Sequence, residues 1–499
     1  RGKKEMNDFR KDIHSKLLLL AEGIKNNNIA ELNKANGFKN NNIKSDLLTF
    51  DYSKQRLNNE VLDYLLQIPD LINLKESLNL LFKGEIYNPS EDRVVSHTLY
   101  RNRDSIEGFE LIFSERKKIK AFLEQIHSEH SFKNLICISI GGSRLGPELL
   151  NEFQSLDGPI KIHFCSSYDL QELKDNLRHC QQKETLVFAS SKSFETSEII
   201  KNLNFVKSWF AQEPDLILEN HLYGISANSS AMTSNGIKDT NQFILKDSLG
   251  GRFSIWSSIS LPAFVNTNYD SYSEFLEGAS LADEYTHQEQ WSSNISVMMA
   301  LLSVWNTNAL DINNHGIFTY NFNLRSLTKY LAQLSMESNG KSVNFNSYVS
   351  PFLTSPLVWG GYGIENQHST FQWLMQGKTE TACDFIGIND GHNDKIDSHE
   401  MLLSQVLAMT HGLDDKTNPY KSVRGNNPCT IIQLDSLDLK SLGFLLALYE
   451  HKIFIEALIL GINPFDQWGV QLGKKLASDV KSNKEFLKDY FSSSVLPKS

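Results

Sequence analysis

Short apolar runs alternate with amphipathic stretches along most of the chain, and this alternation predicts the fold. Between about 105 and 265 the runs cover Leu135 to Ile140, Ile160 to Phe164, Thr185 to Ala189 and Leu222 to Ile225. From about 290 to 460 they cover Gly316 to Tyr320, Leu357 to Trp359, Phe385 to Ile388 and Thr430 to Leu434. Short apolar strands that alternate with helices are typical of parallel sheets covered on both faces. The pattern therefore predicts two successive α/β domains.

The first 85 residues show a different pattern, because leucines recur at helical spacing around the polar tract Lys25 to Ser45. This periodicity predicts helices and loops. In the stretch Asn88 to Arg103, Ser90 is a candidate N-cap for a further helix. Three basic residues share that helical frame: Arg93, His97 and Arg101. An ion-paired surface is the alternative explanation for them.

Composition narrows the possible partners. The chain has 499 residues and a formal net charge of -10, which disfavours nucleic acid and anionic membranes because both require a basic surface. The five cysteines are scattered and show no CxxC spacing, so we expect no metal site and a reducing, cytoplasmic setting. The longest early apolar run, Leu17 to Ala21, is too short for a membrane span or a signal-peptide core.

Two predicted strands of the first domain end in loops that suit an anion. Ile140 is followed by Gly141-Gly142-Ser143, and Ala189 is followed by the hydroxyl-rich stretch Ser190 to Thr196. Each loop leads into a predicted helix, whose N-terminal N–H groups can bind a phosphate monoester. Neither the GxGxxG nor the GxxxxGK[ST] spacing is present, which disfavours dinucleotides and nucleoside triphosphates. A plain turn and an ordinary N-cap are the alternatives for each loop taken alone.

Two further residues are candidates for catalysis. Glu337 lies in the last turn of an apolar helical run that Asn339-Gly340 ends with a predicted left-handed turn, and it is a candidate general base. Its alternative is a solvated surface acid. Arg252 follows Gly250-Gly251, so its guanidinium could approach a substrate where negative charge develops. A structural ion pair is equally compatible with that local sequence.

The C-terminal half contains other candidates. His368 lies near the start of a predicted helix and could relay protons near neutral pH, although a lone histidine is more often structural. Gln467 and Lys474 are seven residues apart, which predicts one helix face carrying a lysine that could neutralise an oxyanion. The acidic run Asp384 to Glu400 contains His392 and His399. Its spacing fits neither the EF-hand nor HExxH, so we predict a solvated loop there.

Four ordered motifs together resemble the phosphoglucose isomerase family over about Asn88 to Lys475. They are GGRFSIWS (250 to 257), QLSMESNGK (333 to 341), NQHS (366 to 369) and NPFDQWGVQLGK (463 to 474). The resemblance implies two doubly wound parallel-sheet domains of the sugar-isomerase (SIS), flavodoxin-like type. It assigns a helical N-terminal segment to 1–104, the small domain to 105–265, the large domain to 266–460 and a C-terminal arm to 461–499.

The resemblance also implies an activity, the interconversion of glucose 6-phosphate and fructose 6-phosphate in glycolysis and gluconeogenesis. Glu337 would move a proton between C1 and C2, and Arg252 would stabilise the cis-enediol intermediate. His368 and Lys474 would open the sugar ring, with Gln467 beside the substrate. The phosphate-binding set would be Gly142, Ser143, Ser191, Lys192, Ser193 and Thr196, with Glu198 close to the sugar. The family works as a homodimer whose active site is shared between chains, without cofactor or metal.

The chain departs from the family pattern at several positions. Ser193 stands where Thr is usual, Glu195 replaces a second Thr, Ile364 replaces Thr before His368, and Gln471 replaces Glu beside Lys474. Glu195 adds a negative charge near a dianion. Two other functions stay open: a sugar-phosphate sensor without catalysis, and an isomerase that also accepts mannose 6-phosphate. The joint presence of Glu337, Arg252, His368 and Lys474 argues against the sensor.

Overall fold

A computed structural model describes residues 2–36, 41–101, 110–129, 131–155, 157–388 and 393–482, together with Leu487, 490–492 and Val495. The α-helices are α1 (Gly2–Glu22), α2 (Ile29–Asn36), α3 (Asn59–Leu65), α4 (Ile68–Leu71), α5 (Leu74–Phe82), α6 (Glu110–Glu129), α7 (Gly142–Gln154), α8 (Gln171–Leu177), α9 (Ser197–Phe210), α10 (Ser229–Ser234), α11 (Tyr269–Gln288), α12 (Ile295–Val304), α13 (Leu327–Asn339), α14 (Gly363–Gln367), α15 (Phe371–Gln376), α16 (Asn393–His411), α17 (Leu439–Leu460) and α18 (Gln471–Ser482). The strands are β1 (Asn42–Lys44), β2 (Leu48–Lys54), β3 (Tyr87–Asn88), β4 (Arg93–Val94), β5 (Asn134–Ser139), β6 (Lys161–Cys165), β7 (Thr185–Ser190), β8 (Leu222–Ser226), β9 (Gln242–Ile244), β10 (Asn314–Thr319), β11 (Leu357–Tyr362), β12 (Ala382–Ile388) and β13 (Cys429–Leu434).

The first sheet has the strand order β6-β5-β7-β8-β9, and its neighbouring strands are all parallel. Strands β5, β7 and β8 are buried at every position, because helices cover both faces of such a sheet. The four strands predicted for this region form with ends displaced by no more than one residue. Strand β9 was not predicted, since three residues are too few to show a period.

The second sheet has the strand order β1-β2-β13-β12-β10-β11. Its four C-terminal strands are parallel and correspond to the four predicted ones, with ends displaced by up to three residues. Strands β1 and β2 are antiparallel additions from the N-terminal segment. The prediction of only helices and loops there was wrong, because the short strand β1 lies inside a polar tract. The α/β fold class is confirmed, and the domain boundaries at 104, 265 and 460 stay predictions.

Two local predictions are also wrong. The stretch from Asn88 forms the hairpin β3–β4 and then a 3₁₀ helix, His97–Tyr100, rather than an α-helix, and residues 102 and 103 lie outside the described chain. Arg101 is fully buried, so the surface alternative fails for it. The acidic run is no solvated loop either: Asp384 is buried within β12, and α16 begins at Asn393. His392 lies outside the described residues.

A buried ionic network fixes the segment that carries Arg252. Arg101 donates to both oxygens of Asp283, at 2.7 and 2.6 Å, and to Glu450 Oε2 at 2.5 Å. The other oxygen of Glu450 accepts from Trp256 Nε1 at 2.9 Å. Breaking such a pair leaves an uncompensated buried charge. Helix α17 is thereby tied to the 3₁₀ helix Gly251–Trp256. Among the described residues, no helix is apolar and long enough to cross a membrane.

Glu115 of α6 carries a prediction about stability and pH. It is buried, it accepts from the Ser258 amide at 2.9 Å, and burial raises the pKa of its carboxyl from 4.5 to about 7. The stability contributed by the protonated form is therefore present below about pH 4.5 and is lost as pH rises through about 7. We expect Glu115→Gln to stabilise the fold at pH 8 by about 2–3 kcal/mol and to have little effect at pH 4.5.

Thermal unfolding at both pH values measures this difference. The matched control is Glu124→Gln, at an exposed position of the same helix. If Glu115→Gln lowers the unfolding temperature at pH 8, the carboxyl is stabilised in its charged form and the prediction fails.

Candidate active site

Helix α13 carries Glu337 at its C-terminal end. Leu327, Leu331 and Leu334 are fully buried and hold the helix against the core. The helix ends at Asn339 as predicted, but the predicted left-handed turn is wrong, because Gly340 has φ -72°. Glycine is needed there for space, since a Cβ would lie 2.4 Å from Met336 O. Glu337 itself is half-buried, with 26% of its side chain exposed, so its carboxylate can meet a substrate.

Two side chains contact the Glu337 carboxylate, and a third contacts one of them. Its Oε1 lies 3.7 Å from Arg252 Nη1, and its Oε2 accepts a 2.8 Å hydrogen bond from Gln333 Nε2. Arg252 Nη1 also donates to Gln467 Oε1 at 2.9 Å. The structure therefore brings together Glu337, Arg252 and Gln467, three of the residues that the sequence predicted for the site.

Arg252 is almost completely buried, with 3% of its surface exposed. Its Nε donates to Ser338 Oγ at 2.6 Å, and its Nη2 donates to Asp466 O at 3.1 Å and to Pro464 O. Burial lowers the pKa of the guanidinium, while Glu337 and Asp466 oppose that shift. An arginine held by several hydrogen bonds in this way presents a fixed positive charge to the Glu337 carboxylate. Such a charge can stabilise an oxyanion next to Glu337.

The first predicted phosphate loop packs directly on these residues. Gly142 begins α7, and a Cβ there would lie 2.2 Å from Gly251 O, so only glycine permits this approach. Gly141 has φ +58°, and a Cβ there would lie 3.4 Å from Gln333 Nε2. Ser143, the second residue of α7, is half-buried. The start of α7 therefore packs against Gln333 and Gly251, which are neighbours of Glu337 and Arg252.

The second predicted loop lies beside the first, because β5 and β7 pair in parallel with Ser139 opposite Ser190. Ser191 is buried and its Oγ lies 3.0 Å from Thr196 Oγ1, at the N-cap of α9. Phe194 has φ 56° and a buried ring, which anchors the loop.

The side chains of this loop differ in exposure. Ser193 and Glu195 are exposed, and Glu198 is half-buried. Lys192 Nζ donates to Asp247 O at 2.7 Å, and burial, aided by the nearby Arg93 cation, lowers its pKa to about 8.

His368 and Lys474 are not brought to Glu337 within the chain. His368 follows α14 and is exposed, and Lys474 is exposed on α18. Among the described residues neither side chain has a hydrogen bond or ion pair. The prediction that Gln467 and Lys474 share one helix face is wrong, because Gln467 precedes the 3₁₀ helix Trp468–Val470 and only Lys474 lies in α18.

A cavity of about 530 Å³ opens beside Glu337. Met336, Lys341, Asp466 and Gln467 line its inner part. Its outer part is lined by apolar side chains that are 41 to 59% exposed: Val343, Phe345, Trp468 and Val470. In the described part of the chain no cluster of three or more His, Cys, Asp or Glu side chains could hold a metal ion.

Two residues that touch the predicted base, Gln333 and Lys341, were not predicted as site residues. Gln333 could have been found, because it lies four residues before Glu337 and therefore on the same helix face. Lys341 donates to Glu337 O at 2.8 Å and to Asp466 O at 2.6 Å. Nothing in the spacing indicates that second contact, since it joins segments 125 residues apart.

Comparison with known proteins gives consistent matches over most of the chain. A family model described as phosphoglucose isomerase matches residues 51–494. Glucose-6-phosphate isomerase from Pseudoalteromonas translucida is 36% identical over 475 aligned positions that cover 87% of each chain. The enzyme of the same name from Acinetobacter baumannii (strain AYE) is 33% identical over 523 positions, covering 96% of this chain and 94% of the other.

Solved structures agree with these matches. The crystal structure of a glucose-6-phosphate isomerase from Chlamydia trachomatis superposes with a TM-score of 0.87 at 29% identity, covering 96% of both chains. A hypothetical protein from Thermus thermophilus superposes with a TM-score of 0.67 at 19% identity, covering 86% of this chain and all of the other. That second likeness shows the fold alone.

Proposed function

The chain belongs to the phosphoglucose isomerase family, and we propose that Glu337 and Arg252 perform the central proton transfer of its reaction. The enzyme interconverts glucose 6-phosphate and fructose 6-phosphate, an aldose–ketose isomerisation of glycolysis and gluconeogenesis. The observation that carries the residue assignment is the 3.7 Å approach of Arg252 Nη1 to Glu337 Oε1 at the edge of a cavity.

In the proposed mechanism Glu337 removes the proton from C2 of the open-chain aldose and returns it to C1. Gln333 holds one carboxylate oxygen at 2.8 Å, so the base has a fixed orientation towards the substrate. Negative charge develops on the sugar oxygens as the cis-enediol(ate) forms. The Arg252 guanidinium stabilises that charge, because its geometry is already fixed by Ser338 and Gln467 before the substrate arrives.

The phosphate group is proposed to bind between the two adjacent loops of the first sheet. Gly142 and Ser143 supply the N-terminus of α7, and Ser191, Lys192, Ser193 and Thr196 supply hydroxyls and a cation. Glu198 lies in the first turn of α9, on the sugar side in this proposal. Glu195 is exposed, so its charge is screened by solvent, and it remains compatible with phosphate binding.

We expect Ser191→Ala to raise KM for fructose 6-phosphate by about tenfold to a hundredfold. A hydrogen bond to a charged group is worth about 1.5 to 3 kcal/mol, and the buried Ser191 hydroxyl is positioned to make one. Steady-state kinetics and inhibition by inorganic phosphate measure the effect. Ser208→Ala, at an exposed position of α9, is the control. Equal inhibition of mutant and wild type by phosphate would show that the loop was misassigned.

Ring opening is proposed to need a second copy of the chain. His368 and Lys474 are the predicted ring-opening residues, and both are exposed and away from Glu337. The apolar side chains around the cavity form the kind of exposed patch that a protein partner covers. We propose a homodimer in which His368 of one chain completes the site of the other, while Lys474 acts on the substrate from α18.

The cellular setting is proposed to be the cytoplasm, where sugar phosphates of glycolysis are processed. The cysteines support this proposal. All five are free thiols and four of them are buried, as is typical of a reducing environment.

A further inference from the structure

Lys341 connects the two segments that form the active site. Its Nζ donates to Glu337 O at 2.8 Å and to Asp466 O at 2.6 Å, and it lies 3.3 Å from Asp466 Oδ1. Only 14% of its side chain is exposed, which is low for a lysine. These contacts join the end of α13, which carries Glu337, to the segment 464–467. That segment contains Gln467, and its backbone carbonyls accept hydrogen bonds from Arg252.

Asp466 is the second half of this connection. Its carbonyl oxygen accepts from both Lys341 Nζ and Arg252 Nη2, so one atom is shared by the two cations. Its carboxylate accepts from Asn463 Nδ2 at 2.8 Å and from Ser90 Oγ at 2.5 Å. Asp466 is buried and is hydrogen-bonded on several sides, so its carbonyl oxygen fixes the positions of both the Lys341 ammonium and the Arg252 guanidinium.

We propose that Lys341 is a positioning residue that sets Glu337 relative to Arg252 through the carbonyl of Asp466. This inference rests on the proposed function, because it assumes that Glu337 is the base. The alternative is a structural role, in which Lys341 only satisfies a carbonyl at the end of α13. The two roles predict different results. Loss of a structural residue that caps α13 lowers only the stability of the fold, whereas loss of a positioning residue also lowers the rate of the chemical step.

The charged groups around Lys341 give a second reason to separate a positioning role from a structural one. Burial has the largest effect on Lys341 and lowers the pKa of its ammonium, and the nearby Arg252 cation lowers that pKa further. The carboxylates of Asp466 and Glu337 also face Lys341 and oppose the shift. As long as it stays charged, Lys341 adds a second positive group near the Glu337 carboxylate. Its removal should therefore weaken the positive field in which Glu337 and the developing oxyanion act.

The test is Lys341→Met, which keeps the length of the side chain and removes the charge and the donors. We expect kcat to fall at least tenfold while KM for fructose 6-phosphate changes less than threefold, because the phosphate loops are untouched. Lys329→Met, at an exposed position of α13, should match wild type in both measurements.

Several outcomes would overturn the inference. A kcat within threefold of wild type, whatever the unfolding temperature, assigns Lys341 a structural role. If Lys341→Met does not fold, Lys341→Gln removes the charge with a shorter polar side chain, and a kcat within threefold of wild type again refutes the inference. Failure of the proposed function would appear separately, as full activity of Glu337→Gln.

Discussion

Glu337→Gln is expected to lower kcat by about 10² to 10⁴-fold, since general base catalysis contributes about that much. Glutamine keeps the shape of the side chain, and the amide can still lie beside Gln333 and Arg252, so the loss reports the missing base rather than a collapsed site. Because Glu337 is only half-buried, the substitution should leave folding unchanged. A coupled assay of fructose 6-phosphate conversion measures kcat, and inhibition by inorganic phosphate measures binding.

The matched control is Glu365→Gln, at an exposed position of α14, which should retain full activity. Binding of inorganic phosphate to Glu337→Gln should stay within about threefold of wild type. If Glu337→Gln keeps kcat within about threefold of wild type, another group removes the proton and the assignment is wrong.

The sheets could be predicted from sequence because their strands are buried on both faces. A fully buried parallel strand such as β5 or β7 contains a continuous apolar run, which stands out against its helical neighbours. Strand β2 contains Asp51, and its alternation of buried and half-buried positions is interrupted by the adjacent buried residues Tyr52 and Ser53. Neither a continuous apolar run nor a strict alternation therefore marks it. Its place in the sheet comes from pairing with β13, which is distant in sequence.

The candidate site likewise has one part that local sequence predicts and another that depends on contacts between residues distant in sequence. The phosphate loops follow directly from strand ends that lead into helices, so local sequence predicts both the loops and their proximity. The environment of Arg252 does not, because its partners Gln467 and Asp466 are more than 200 residues away along the chain. The sequence therefore could not choose between a structural ion pair and a catalytic arginine. The 3.7 Å contact with Glu337 fits both alternatives, so the catalytic role of Arg252 stays a proposal.

The burial of two charged residues was not predicted, and the physical reason is the same for both. Arg101 and Asp384 are charged, and charged residues are almost never fully buried unless they are paired. Here the pairing partners are distant in sequence: Arg101 reaches Asp283 and Glu450, and Asp384 accepts from His315 at 2.9 Å. Sequence reasoning assigns such residues to the surface by default. Burial of this kind becomes visible only when the partner helices and strands are packed together.

A mixture of Glu337→Ala and His368→Ala chains is expected to recover about a quarter of wild-type activity, although each variant alone is nearly inactive. In a twofold dimer, random pairing makes heterodimers about half of all dimers. If His368 is donated by the neighbouring chain, each heterodimer holds one site that is free of both substitutions and one that carries both. Half of the sites in half of the dimers gives the quarter.

The control mixture is Glu337→Ala with Arg252→Ala. These two residues lie 3.7 Å apart within one chain, so every heterodimer site keeps one lesion and no activity should return. Coexpression, or unfolding and refolding of the mixed chains, allows exchange, and mass spectrometry of the intact dimers confirms it. If exchange is complete and the His368→Ala mixture still recovers nothing, then His368 acts within its own chain. In that case its exposed position after α14 would have to change during the reaction, because no contact in the free chain links it to Glu337 among the described residues.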